Sequence, residues 1–318
     1  MTKRWVIALA TSIALIAGAT WLWETKPWWP DIVIASPGPT GRRINESRVF
    51  ANFYPAKVDR PGPAVMLLGG SEGGIGSVPA ATALQAHGFS VLTPAYFGGS
   101  GQPGHLEHIP LETFDRALAW LRRQPQVDGA RVGVIGESKG AEAALLLGVR
   151  DTALRAVVAL SPSSYVWPGV NPSSLKAGSS WTVRGKPLPV LPYGRFHLGV
   201  LLGHLGVLYR EGLQARAKHP AAGIAIDRAS APVLLVCGRD DTLWPSCAMS
   251  EQLRDRAAAA GKRIDVLSYA NAGHEVFGPP EDRGDTAPHR WGGTSQSNNA
   301  ARADAWPKVI EFLRRSLA

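Results

Sequence analysis

The sequence predicts an α/β fold, a doubly wound and mainly parallel sheet with a lid insertion, and three observations predict it. Short apolar runs rich in Val, Ile and Leu recur from residue 64 onward, as strands buried on both faces require. Stretches of strong helix formers alternate with them. At residues 131–148, RVGVIGESKGAEAALLLG, a strand, a G-x-S-x-G turn and a helix follow one another without a gap. A chain of 318 residues could hold one large domain or two, and 45% hydrophobic residues is ample for one continuous core. One domain is expected.

Residues 5–23, WVIALATSIALIAGATWLW, carry no charge and follow Lys3-Arg4. Residues 1–29 therefore read as a signal segment or a single membrane anchor. Ala17-Gly18-Ala19 suits cleavage, whereas the length suits a span, and Trp21, Trp23, Trp28 and Trp29 gather at the far end as an interfacial belt. A retained anchor is the expectation. Lys3, Arg4 and the amino terminus outweigh Lys26, which puts the N-terminus inside and the remainder outside. Residues 30–62 read as a linker feeding an edge strand, Arg48 to Tyr54.

From there, residues 63–318 form the main domain. Strands are expected at Ala64–Leu68, Phe89–Pro94, Arg131–Ile135, Ala156–Leu160, Pro232–Cys237 and Ile264–Tyr269. Helices are expected at Pro79–His87, Leu111–Arg123, Ala141–Leu147, Ser246–Ala260 and Ala303–Leu317. Residues 161–231, with Trp167, Trp181, Tyr193, His197, His204 and Tyr209, are too long for a plain connection and read as a lid beside the sheet's carboxyl edge. Phe277–Gly293, rich in Gly and Pro, is a smaller loop for the opposite side.

The formal charge is +9, from 34 Lys and Arg against 25 Asp and Glu, but the basic residues are scattered and no nucleic-acid motif accompanies them. An anionic surface or substrate is the expected partner, with plain compositional bias as the alternative and nucleic acid excluded. Cys237 and Cys247 are the two cysteines, and neither has metal-ligand spacing. No metal and no cofactor are expected. Cys237 should end a buried strand and Cys247 should sit in the next helix, and whether they pair is left open, as is the oligomeric state.

A serine at the apex of a strand-to-helix turn needs small neighbours, here Gly136 and Gly140, and sits beside a helix N-terminus that favours developing negative charge. Ser138 is the candidate nucleophile. Its hydroxyl needs a base, and the base needs an orienting acid. In this topology they follow in the order Ser, acid, His. Gly238-Arg239-Asp240-Asp241 closes a strand and Gly273-His274 follows the last one, which assigns Asp241 and His274, with Asp240 as the alternative acid. Of the eight histidines, only His274 has that position. A tetrahedral intermediate needs two backbone donors. The N–H of Lys139 follows the nucleophile, and the loop Gly69-Gly70-Ser71-Glu72-Gly73-Gly74 offers the N–H of Ser71. That loop lacks both phosphate-binding patterns, the GKS/T ending and the G-x-G-x-x-G order. Gly70 and Glu72, with Trp167 and Trp181 in the insertion, are the candidate substrate contacts.

The stretches LLGGSEGGIGS, AYFGG, IPLETF, VGVIGESKGAEAALLLG, ALSPSS and GRDDTLWPS together resemble the C-terminal catalytic domain of the acyl-CoA thioesterase and bile-acid-CoA:amino-acid N-acyltransferase family, over residues 50–318. The resemblance implies an α/β-hydrolase fold of the dienelactone-hydrolase-like kind, acyl thioester or ester substrates, and a nucleophile, acid and histidine matching Ser138, Asp241 and His274. In that family a cysteine at the elbow goes with acyl transfer and a serine with hydrolysis, so Ser138 implies hydrolysis. Acyl transfer to an amine or alcohol is the rival chemistry, and a catalytically dead, membrane-tethered binding module the rival outside enzymes. The family's N-terminal β-sandwich is replaced here by the hydrophobic segment and linker.

Overall fold

Side chains two apart on a strand share a face, so a strand buried on both sides serves two cores. In Gly62–Leu68 (β3), Ala64, Met66 and Leu68 enter one hydrophobic cluster and Val65 and Leu67 the other. The computed structural model describes residues 32–318 apart from 58, 77, 172, 173, 175, 196, 197, 202 and 282–288. The 1–29 segment thus lies outside the described residues, as does His197. Among the described residues, no helix is long and apolar enough to cross a membrane.

Eight strands form the main sheet. They are Arg42–Glu46 (β1), Val49–Tyr54 (β2), β3, Ser90–Pro94 (β4), Val127–Glu137 (β6), Ala156–Leu160 (β7), Val233–Gly238 (β10) and Asp265–Tyr269 (β11). Their order is β1-β2-β4-β3-β6-β7-β10-β11, antiparallel at β1/β2 and β2/β4 and parallel from β4 onward. Helices at Val78–Ala86, Glu112–Arg122, Lys139–Arg150, Ser246–Ala259 and Ser295–Ser316 connect or close the parallel strands. This is the expected doubly wound sheet, and the architecture is that of an α/β hydrolase. The carboxyl ends of β3, β6, β10 and β11 deliver the chemistry-bearing loops.

Two differences from expectation have local causes. β1 has no counterpart in the sequence reading, because its hairpin to β2 turns on Ser47 and Arg48, both at positive φ (54° and 58°), in place of the Asn-Gly or Gly pair that marks such turns. The last helix begins at Ser295 rather than Ala303. Its first turns are polar, but a capping box, Thr294 Oγ1 accepting from Ser297 N–H while Ser297 Oγ accepts from Thr294 N–H, holds the start.

Residues 161–231 carry short strands, Trp181–Val183 (β8) and Lys186–Pro187 (β9), which join Ile109–Pro110 (β5) in a small second sheet. They also carry a helix at Gly206–Gln214. Trp167, Leu191, Tyr209 and Leu213 form a separate cluster with Trp244 and Met249, whereas Trp181 joins the main core.

Candidate active site

β6 ends at Glu137 and a helix begins at Lys139, so Ser138 makes the turn alone, at φ 52° and ψ −117°. A non-glycine residue there stores roughly 1–3 kcal/mol of backbone strain. The surroundings enforce it. Ser138 N–H donates to Leu160 O at the end of β7 (2.9 Å), and a Cβ on Gly136 would lie 2.0 Å from Gly140 O. A Cβ on Gly140 would lie 2.2 Å from Gly69 O, so both glycines are required by close backbone approach.

His274 is buried (3% exposed) with Nε2 2.9 Å from Ser138 Oγ and Nδ1 2.9 Å from Asp241 Oδ2. A carboxylate only accepts, so Nδ1 carries the proton and Nε2 is free to accept from the serine hydroxyl. Asp241 is held by more than the histidine. Oδ1 accepts from Leu243 N–H and Trp244 N–H, both 3.1 Å, and Oδ2 from Ser246 O–H at 2.6 Å. The alternative acid, Asp240, turns its carboxylate away to accept from Gly293 N–H at 2.7 Å. The imidazole is fixed as well. Its ring packs edge-on to Trp244 (5.6 Å) and Phe277 (6.4 Å), and His274 O accepts from Ser161 O–H.

Cys237 and Cys247 are joined in a disulfide, which settles the pairing left open by the sequence. It links the end of β10 to the first turn of the Ser246–Ala259 helix, so the loop carrying Asp240 and Asp241 is closed covalently at its base.

The loop after β3 lies against the elbow, where a Cβ on Gly70 would be 3.2 Å from Ser138 Cβ. Tyr96 O–H donates to Gly69 O and Gly70 O at 2.7 Å each, which pins the loop from below. Glu72 folds its carboxylate back onto the loop and accepts from Gly70 N–H at 2.8 Å. Desolvation raises its carboxyl above the ordinary range, against backbone hydrogen bonds and the nearby His274. Ser71 stands between these two braced residues. Lys139 supplies the first amide of the following helix, a position with no intrahelical acceptor.

Trp167 and Trp181 require a correction. Both are fully buried and have no surface to offer a substrate. Their N–H groups turn inward instead: Trp181 Nε1–H donates to Glu142 Oε1 (2.6 Å), Trp167 N–H donates to the same oxygen (3.3 Å), and Trp167 Nε1–H donates to Ser163 Oγ (2.8 Å). Glu142 also receives both oxygens' share of the Lys139 ammonium, at 3.1 and 3.0 Å. Burial pushes the lysine down and the glutamate up, and their mutual attraction opposes both shifts. Sequence reasoning missed Glu142, although a Lys139-x-x-Glu142 pair inside an otherwise Ala- and Leu-rich helix was the available signal. It also missed Ser161 and Trp244, whose contacts to His274 cross the fold, and Ser246, which binds Asp241 from five residues away.

Ser138, His274 and Asp241 thus form one hydrogen-bonded chain, an arrangement in which a histidine can take the proton of a serine hydroxyl. Several known proteins are similar to this chain in sequence. The chain is 26% identical over 294 residues to the peroxisomal succinyl-coenzyme A thioesterase of Mus musculus, covering 89% of this chain and 66% of that one. It is 26% identical over 291 residues to the mitochondrial acyl-coenzyme A thioesterase 2 of Mus musculus (89% and 61%), and 27% over 292 residues to the mouse bile acid-CoA:amino acid N-acyltransferase (89% and 66%). The chain therefore spans 61–66% of the length of these relatives. Among solved structures, an esterase of Pyrococcus furiosus superposes with a TM-score of 0.57 at 17% identity, covering 91% of this chain and 100% of that one. An acylaminoacyl peptidase of Pyrococcus horikoshii gives 0.53 at 13% identity, covering 87% and 41%. These two likenesses establish the fold alone. The family model described as BAAT / acyl-CoA thioester hydrolase C terminal matches residues 109–318, and to that family the chain belongs.

Proposed function

We propose that the protein is a serine hydrolase that cleaves acyl thioesters or carboxylic esters through an acyl-enzyme on Ser138. The observation that carries this reading is the unbroken chain Ser138 Oγ, His274 Nε2, His274 Nδ1, Asp241 Oδ2, with 2.9 Å at each contact. Ser138 Oγ attacks the acyl carbon as its proton passes to Nε2. The carbonyl oxygen takes up negative charge against the N–H groups of Lys139 and Ser71. Collapse expels the thiolate or alkoxide, which takes the proton from Nε2, and leaves the acyl group on Ser138. Water then repeats the sequence, with His274 as base and later acid, and releases the carboxylic acid. Asp241 keeps the imidazole in the productive tautomer and stabilises it when charged. Residues 161–231 act as the lid over the acyl group.

Ser138→Ala should lose nearly all turnover of p-nitrophenyl and CoA esters, while wild-type protein labels with a fluorophosphonate probe. Wild-type rates in the variant would reject the mechanism, and folded protein that takes no label would favour the binding module. A second reading, transfer to an amine or alcohol, is favoured by the likeness to the N-acyltransferase. Product analysis with and without an amino-acid acceptor separates the two.

The same reading places the enzyme on a membrane through residues 5–23, with its chemistry outside the cytoplasm. The Lys3-Arg4 flank and the Trp belt support that orientation, and so does the disulfide, a bond that persists in oxidising compartments. There the substrates are lipid-linked or exogenous esters.

A further inference from the structure

Lys139 stands where a cation is least welcome. It is the first residue of a helix, at the positive end of the dipole, and its side chain is 2% exposed. Its partner Glu142 is 0% exposed. Burying two ions costs stability even when they pair well, and a pair of apolar side chains would fill the same space more cheaply. Packing therefore gives no reason for this pair.

Its connections give one. Four N–H contacts converge on the Glu142 carboxylate: two from the Lys139 ammonium, one from the Trp181 indole and one from the Trp167 backbone. The lysine belongs to the residue whose amide faces the developing oxyanion. The tryptophans belong to residues 161–231. The ammonium also lies 5.8 Å from the centre of the Trp181 ring. From Trp167 the ring contacts continue through Tyr209 (4.9 Å) and Trp244 (5.3 Å) to His274 (5.6 Å). The insertion is thus fastened to both ends of the catalytic arrangement, and Glu142 is the fastening at the oxyanion end.

We propose that Glu142 is a positioning residue: by gripping the Lys139 side chain it sets the aim of the Lys139 N–H, and by holding Trp167 and Trp181 it makes that aim depend on the seating of the insertion. This rests on the hydrolase reading above, in which that N–H binds the oxyanion. An amide displaced by a fraction of an ångström still lets substrate bind but loses contact with the transition state, so the signature is in kcat and not in KM.

The test compares Ser138→Ala, Glu142→Gln and the double variant Lys139→Met/Glu142→Gln on p-nitrophenyl esters, with melting temperature read alongside. Glu142→Gln keeps an acceptor for the two Trp N–H groups but weakens the grip on the ammonium. Its kcat should fall by about 10- to 100-fold, with KM within about twofold. The double variant removes the stranded charge. Its melting temperature should recover while kcat stays low. Recovery of kcat together with stability would mean that the pair only neutralises itself, and would overturn the proposal, as would a Glu142→Gln enzyme with wild-type kcat. If neither variant folds, Trp181→Phe removes a single donor to the same carboxylate. A lowered kcat at constant KM supports the proposal there, and an unchanged kcat overturns it. Ser138→Ala keeps the two levels apart: if it remains active the hydrolase reading has failed, and if it is dead while Glu142→Gln is normal only this inference has.

Discussion

Asp241 accepts from Leu243 N–H, Trp244 N–H, Ser246 O–H and the His274 ring, whereas the adjacent Asp240 accepts from Gly293 N–H and leaves the histidine alone. Asp241→Asn exchanges an acceptor for a group that can donate, which sets the imidazole in the wrong tautomer. A loss on the order of 10³–10⁴ in kcat is expected. Asp240→Asn keeps an acceptor oxygen for Gly293 and should cost no more than severalfold. Steady-state kinetics of the two variants decide the assignment, and the reverse ranking would make Asp240 the acid. At the elbow, Gly140→Ala would drive a Cβ to 2.2 Å from Gly69 O and 2.6 Å from Leu68 O. Those atoms are backbone at the end of β3, which cannot give way cheaply. The variant should lose more than about 2 kcal/mol of stability or fail to fold, read by denaturant titration.

The acid loop shows how an element serves the site, because it is fixed by its own hydrogen bonds and again by the disulfide across its base. Closing a loop of that size contributes about 2–4 kcal/mol by restricting the unfolded chain. Cys237→Ser/Cys247→Ser should melt roughly 5–10 °C lower while retaining activity at 25 °C within about tenfold, since the bonds to Asp241 survive. An unchanged melting temperature would deny the bond any stabilising part. Both sulfurs lie in buried residues, so reductant plus alkylating agent should modify them only after denaturation. The sequence was most legible where the signal is local. Buried parallel strands declare themselves as β-branched runs, the elbow as glycines around a serine, and the chain order of acid and histidine follows from the topology. Legibility failed where partners are distant. Glu142 meets residues 25 and 39 positions away, and nothing in the sequence near Trp167 or Trp181 says that their N–H groups turn inward. The β1–β2 hairpin was hidden for another reason, since Ser47 and Arg48 adopt backbone angles that their side chains do not advertise.

For the molecule as a whole, the open matter is which way the catalytic face looks. Residues 33–35 run along the loop after β3, with Ile75 N–H donating to Val33 O (2.8 Å) and Ala35 N–H to Ile75 O (2.9 Å). Ile75 is five residues beyond Gly70, where an added Cβ would lie 3.2 Å from Ser138 Cβ, so this stretch meets the body within about 18 Å of Gly70, in the loop beside the elbow. Among the described residues, Ile32, Val33 and Ile34 are the large apolar side chains left exposed, and they directly follow the segment proposed as the anchor. On the proposed anchoring, the catalytic rim would lie near the bilayer, where the net charge of +9 would favour anionic headgroups. Under that proposal, ester substrates embedded in or delivered by a membrane would fit the position better than a soluble cytosolic thioester. The orientation is decided by fusing a reporter active only outside the cytoplasm after Ala318. Signal from that fusion is the expected result, and removal of residues 1–31 should release the protein from the membrane while sparing hydrolysis of soluble p-nitrophenyl esters. A reporter that works only in the cytoplasm would reverse the orientation, leave the disulfide without an oxidising compartment to sustain it, and make acyl-CoA the leading substrate.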